Sequence, residues 1–147
     1  MGCDIHLHGE VKIQGKWRHW STPDLDRDYE LFAKMAEVRN NFGIRPISPP
    51  KGIPEDASFE TRFDYEDAGK WVHSASWLSA KEIHELGQFL KVRASRLHPE
   101  EFFYPEKLWG YVRGGSWGGV YRYPEEAALR KIEDVRFVFW FVFRFDN

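Results

Sequence analysis

The residues best suited to chemistry stand at the start of the chain, in the spacing Asp4-x-His6-x-His8. In an extended strand alternate side chains share one face at roughly 6–7 Å intervals, so this trio would present a carboxylate and two imidazoles together. Two uses follow. The three groups could ligate a divalent metal, or His6 oriented by Asp4 could act as a general acid or base near neutral pH. Polar residues at alternate positions are also what any solvent-facing strand carries, so the plain structural reading stays open. A second group is His73-Ser74-Ala75-Ser76-Trp77, just ahead of a helix signal. There, hydroxyls and free backbone N–H groups favour an anion such as phosphate, or simply tie down the turn and cap the helix. If the two groups meet, His6 and His73 could exchange protons across a phosphodiester, with Arg39, Arg45 or Lys51 offsetting phosphate charge.

The glycine-rich run Arg113-Gly114-Gly115-Ser116-Trp117-Gly118-Gly119 lacks the Lys-Ser/Thr ending of a Walker loop and the strand-to-helix setting of a dinucleotide fingerprint. It reads as a hairpin tip presenting Trp117, either as a lid, an oligomer contact or a loose turn. Arg136 and Arg144 flank Trp140 at strand spacing and suggest a cation-π and phosphate-binding strip, or pairing with acids on neighbouring strands. No Gly-x-Ser-x-Gly elbow, His-Glu-x-x-His helix, Cys-x-x-Cys pair or kinase signature occurs.

The elements that must position these groups follow from periodicity. Residues 3–13 alternate, with Cys3, Ile5, Leu7, Val11 and Ile13 on one face, and Gln14-Gly15-Lys16 turns the chain into a second strand over 17–20. Helical spacing of Tyr29, Leu31, Phe32, Met35, Ala36 and Val38 predicts a helix over 27–39. Five prolines and glycines between 43 and 52, then Pro54, forbid regular structure from 40 to 58. Ser79 and Glu82 form a capping-box signature for a helix fading near Arg93. Two short strands are expected within 108–123 and a short third helix over 124–131, with Pro124 in its first turn. Val135 to Asn147 reads as a central strand, apolar on both faces.

The whole therefore predicts an α+β fold: an antiparallel sheet with two main helices, a short third helix and long loops, in a single domain over 1–147. The hydrophobic share of 42% and charged share of 30% are those of an ordinary globular chain. A net charge of -2 supplies no field for duplex nucleic acid or an anionic membrane. Cys3 is the sole cysteine, which rules out an internal disulfide and fits a reducing cytoplasm. No apolar run approaches the length that spans a bilayer. The aromatic share of 17% needs a home, in the core or as stacking platforms for bases.

Gly2-Cys3-Asp4-Ile5-His6, Arg27-Asp28-Tyr29-Glu30-Leu31-Phe32, Pro50-Lys51-Gly52-Ile53-Pro54-Glu55-Asp56, His73-Ser74-Ala75-Ser76-Trp77-Leu78 and the closing Phe145-Asp146-Asn147 together resemble a small uncharacterised protein family of phages, prophages and bacteria. The resemblance spans most of the chain and brings no established activity or residue role. It suggests one class of function by association, the small phage proteins that bind or destroy nucleotide second messengers of bacterial immunity. The expectation is thus a nucleotide-recognising protein, a counter-defence phosphodiesterase using His6, His73 and Asp4. Its pocket would join that strand face to the Arg45–Ser58 loop and the His73-Ser74 corner, with Arg39, Lys51, Ser74, Ser76, Trp77 and Trp117 as ligand contacts. The rival is a sponge that holds the same ligand intact, with rings such as Trp77 or Trp117 for stacking. A protein-interaction module or homo-oligomer is a third alternative. Metal dependence is open, with His6, His8 and Asp4 as the ligand set.

Overall fold

The computed structural model describes residues 2–93 and 132–144. Within them the chain forms a four-stranded antiparallel sheet and three helices, as the α+β expectation required. The strands are β1 (Gly2–Ile13), β2 (Lys16–Ser21), β3 (Val72–Ser79) and β4 (Asp134–Arg144), in spatial order β2-β1-β4-β3. The helices are α1 (Tyr29–Ala36), α2 (Phe59–Asp67) and α3 (Ala80–Val92). Among the described residues no helix is long and apolar enough to cross a membrane.

The alternation in β1 and β4 decides the two faces. Cys3, Ile5 and Leu7 stand opposite Phe143, Phe141 and Phe139, and this side packs on Leu31, Phe32 and Met35 of α1 and Ile83, Leu86 and Leu90 of α3. Five rings go here: Phe32, Phe137, Phe139, Phe141 and Trp20 are fully buried. Each such burial contributes roughly 1.5–3 kcal/mol, which makes this face the core. The opposite face pairs Asp4 with Val142, His6 with Trp140, His8 with Val138 and Glu10 with Arg136. It is covered by α2, whose Asp64, Tyr65 and Thr61 contact it.

Local chemistry sets the boundaries. Gln14 and Gly15 both take positive φ, 53° and 73°, the mirror-image turn that suits a right-twisted hairpin. Ser79 and Glu82 complete the capping box that opens α3. The segment from Asn40 to Ser58 has no helix or strand, as its prolines dictate. Gly52 N–H bonds Ala75 C=O and Lys51 N–H bonds Ser76 Oγ, so this loop runs along the outer edge of β3.

Three expectations change. The helix expected over 27–39 is shorter, because Asp28 caps it and Glu37 turns left-handed at its end. α2 was not expected, since only Thr61 of its residues is buried and it has no apolar stripe. His73 to Ser76 lie within β3 rather than in a turn, with a bulge between His73 and Ser76 where Ser74 takes φ 55°. The expected strands in 108–123 and helix over 124–131 lie outside the described residues.

Ser58 caps α2, its Oγ accepting the Thr61 N–H. Ser58→Ala should cost about 1 kcal/mol of stability. Hydrogen exchange should quicken first at residues 61–67, because no apolar stripe holds that helix.

Candidate functional site

β2 pairs with β1 only from Gly9 onward, so residues 4–7 of β1 have no β2 neighbour. The segment 22–27 passes along this side, and between the two lies a cavity of ≈ 490 Å³. Asp4, His6, Thr22, Arg27 and Arg144 line it, with Asp24 and Asp26 from the same segment. The volume suits a nucleotide-sized ligand.

Asp4 does not orient His6. Its Oδ1 accepts from Arg27 Nε and its Oδ2 from Arg144 Nε, at 3.1 Å for the latter. The Arg27 hydrogen bond is the leading reason that the Asp4 carboxyl sits below the usual carboxylate range. One carboxylate thus holds two guanidinium groups side by side at the cavity, a unit of net charge +1. The expected pairing of Arg144 with an acid on a neighbouring strand is what forms. Arg136 pairs likewise, with Glu10 at 2.8 Å and Asp56 at 2.9 Å, and stacks on Trp17 with its guanidinium carbon 4.0 Å from the ring centroid. It builds no strip with Trp140.

The carboxylate that faces His6 is Asp64 of α2, 3.8 Å from His6 Nδ1 and 2.8 Å from His8 Nε2. The His8 hydrogen bond is the main cause holding the Asp64 carboxyl below its ordinary value. His8 is buried, and its Nδ1 lies 3.0 Å from His19 Nε2, which is 3.1 Å from Thr22 Oγ1. Trp140 backs the group: its ring stacks on His6 at 5.9 Å and on His8 at 5.2 Å, with Tyr65 edge-on at 5.2 Å. His6, 32% exposed, is the titratable member that reaches the cavity from a network otherwise fixed by hydrogen bonds and packing, and Thr22 reaches it from the other end. A half-exposed imidazole with a carboxylate at one nitrogen can take up or release a proton at the other.

The other residues singled out by sequence lie elsewhere. His73 stands opposite Phe141, on the core face, while His6 stands opposite Trp140, on the α2 face. The sheet therefore separates the two histidines, and no His6–His73 pair forms. His73 stacks on Phe143 at 4.4 Å and its Nε2 is 3.8 Å from the buried Cys3 Sγ. Burial, then the charge of Arg39, pushes the His73 imidazole below its ordinary 6.5. Burial pushes the Cys3 thiol up, which disfavours the thiolate that a nucleophile requires. Arg39 lies over the Tyr29 ring at 5.5 Å. Ser74 Oγ contacts His73 Nδ1 at 3.1 Å, and Ser76 serves the loop bond to Lys51. Lys51 sits 3.9 Å above the Trp77 ring and bonds Glu82, at the far edge of the sheet. Arg45 is exposed, and its backbone carbonyl accepts from Lys34 Nζ at 3.0 Å. None of these lines the cavity, and Trp117 lies outside the described residues. Among the described residues no group of three or more His, Cys, Asp and Glu side chains is placed to hold a metal ion. Asp4 is turned to its arginines, so the Asp4, His6 and His8 set does not assemble.

Comparison of the chain with protein-family models, curated proteins and solved structures finds no match. The site residues that sequence reasoning missed are Asp64, Thr22, His19 and Arg27. Arg144 was noted, and its parity in β4, with Asp4 at the facing end of β1, was the available signal for the clamp. Nothing in the aperiodic run around Asp64 signalled a partner for His6.

His73→Ala should lower stability and leave phosphate-ester binding at the cavity within two-fold of wild type, as calorimetric titration would show.

Proposed function

We propose that the cavity between β1 and residues 22–27 binds a small phosphate-bearing molecule of nucleotide size, and that His6 acts on it as general acid or base. The observation that carries this reading is the meeting, at one cavity, of His6 backed by Asp64 with the Arg27–Asp4–Arg144 clamp. Guanidinium groups are the residues of choice for phosphoryl oxygens, because their planar forks match the geometry. Asp4 uses Nε of each arginine, which orients both heads and leaves the trio a net charge of +1, set against the Asp24 and Asp26 carboxylates that also line the cavity.

In the hydrolytic form of the proposal, His6 takes a proton from water as that water attacks phosphorus. The bond to the leaving oxygen breaks, that oxygen takes a proton from solvent water, His6 returns its proton to solvent, and the two arginines offset the charge growing on the phosphoryl oxygens. Asp64 then stabilises the imidazolium; its 3.8 Å approach to His6 is of the kind that tightens once a ligand is bound. A phosphodiester such as a nucleotide second messenger is the first member of the class to test.

Capture without turnover is the second reading, and one feature favours it: His73 is on the other face of the sheet, so no second histidine of that pair serves the leaving group. The experiment is incubation with a panel of cyclic and linear nucleotides, heat denaturation, and mass spectrometry of what is released. Converted product supports hydrolysis, intact bound ligand supports capture, and no bound nucleotide sinks both.

A further inference from the structure

Asp64 reaches the cavity by two routes. One is His6. The other runs inward through His8 and His19 and returns to the cavity at Thr22. The proton positions along the second route are set by its starting point. Asp64 as a carboxylate only accepts, so the hydrogen of its 2.8 Å contact belongs to His8 Nε2. With His8 uncharged, its Nδ1 is then a lone pair. That lone pair lies 3.0 Å from His19 Nε2, a distance at which two lone pairs would repel, so His19 Nε2 carries a hydrogen. The same N–H has Thr22 Oγ1 as its other neighbour, at 3.1 Å. A ring nitrogen that carries a hydrogen has no lone pair to accept another, so the Thr22 hydroxyl hydrogen does not go to His19 and is left to point elsewhere.

We infer that Thr22 is a specificity-determining residue: its hydroxyl hydrogen, turned away from His19 by the Asp64–His8–His19 chain, bonds an acceptor oxygen of the ligand. This rests on the ligand reading above and names one group the ligand brings, an anionic or carbonyl oxygen within reach of the Thr22 hydroxyl hydrogen.

Two measurements test this. In protein labelled with ¹⁵N-histidine, long-range ¹H–¹⁵N correlation in the absence of ligand should show the Nε2–H tautomer at both His8 and His19. Asp64→Asn, which can donate where aspartate accepts, should reverse the order and leave His19 Nε2 bare. In titrations with inorganic phosphate and adenosine monophosphate, Thr22→Val should weaken binding about ten-fold, and Thr22→Ser should bind as wild type. A bare His19 Nε2 in the wild-type protein, or wild-type affinity in Thr22→Val, would overturn the inference while leaving the ligand reading intact. A wild-type protein that binds neither probe nor any phosphate ester would overturn both, whatever the tautomers.

Discussion

Glu10→Ala should be the most damaging single substitution in the described part of the chain. Glu10 is fully buried: Oε1 accepts from Arg136 Nε at 2.8 Å, and Oε2 accepts from both the Ser58 N–H and the Thr61 hydroxyl at 2.8 Å. Removing it leaves a guanidinium that is itself 4% exposed with only the solvent-exposed Asp56 as its acidic partner among the described residues, and breaking a buried pair costs up to about 3–5 kcal/mol. A domain of this size has only about 5–15 kcal/mol in hand, so the variant should sit near its unfolding threshold in a urea titration. The double replacement Glu10→Leu with Arg136→Met should recover much of the loss, since it removes both buried charges. Equal stability of the single and double variants would show that the carboxylate matters for Ser58 and Thr61 alone. Because those two residues open α2, which carries Asp64, the network that costs most to break is also the one that places the carboxylate behind His6.

If the cavity hydrolyses a phosphate ester as proposed, His6→Ala should lower that turnover by about 10²–10⁴-fold, the ordinary contribution of a positioned acid or base. Ligand affinity should change far less, because Arg27 and Arg144 remain in place. Asp64→Ala should also reduce turnover, by less than the loss of His6, and should cost stability through its bond to buried His8. Turnover unchanged in His6→Ala would remove the catalytic reading and leave capture. Steady-state kinetics beside a melting curve for each variant separates chemistry from folding.

The parts of the fold that were legible in the sequence are those whose apolar pattern reports a buried face. β1 and β4 alternate because the α1/α3 side of the sheet is the core, and α1 and α3 carry stripes that meet it. α2 and β3 gave no such signal. α2 is held by its cap and by polar contacts of Thr61, Asp64 and Tyr65 to the sheet, so hydrophobic periodicity could not find it. β3 is a serine-rich edge strand with a bulge, and its outer edge is satisfied in part by the 51–52 loop.

The site was half legible for the same reason. Parity within β1 correctly put Asp4, His6, His8 and Glu10 on one face, but parity cannot relate strands whose register is unknown. His73 fell on the other face because it pairs with Phe141 rather than with a neighbour of that residue. Asp4 was read as the partner of His6, when two arginines from distant parts of the chain had the stronger claim on it. Asp64, which took that role, became visible only once α2 was seen to lie on the sheet.

Ligand binding at the His6 cavity is tested most directly by side-chain NMR during a nucleotide titration. The His6 imidazole and the Arg27 and Arg144 Nε–H signals should move together and saturate with one affinity, while His73 and Trp77 stay still. Saturable shifts at His73, Arg39 or Trp77 with His6 silent would contradict it.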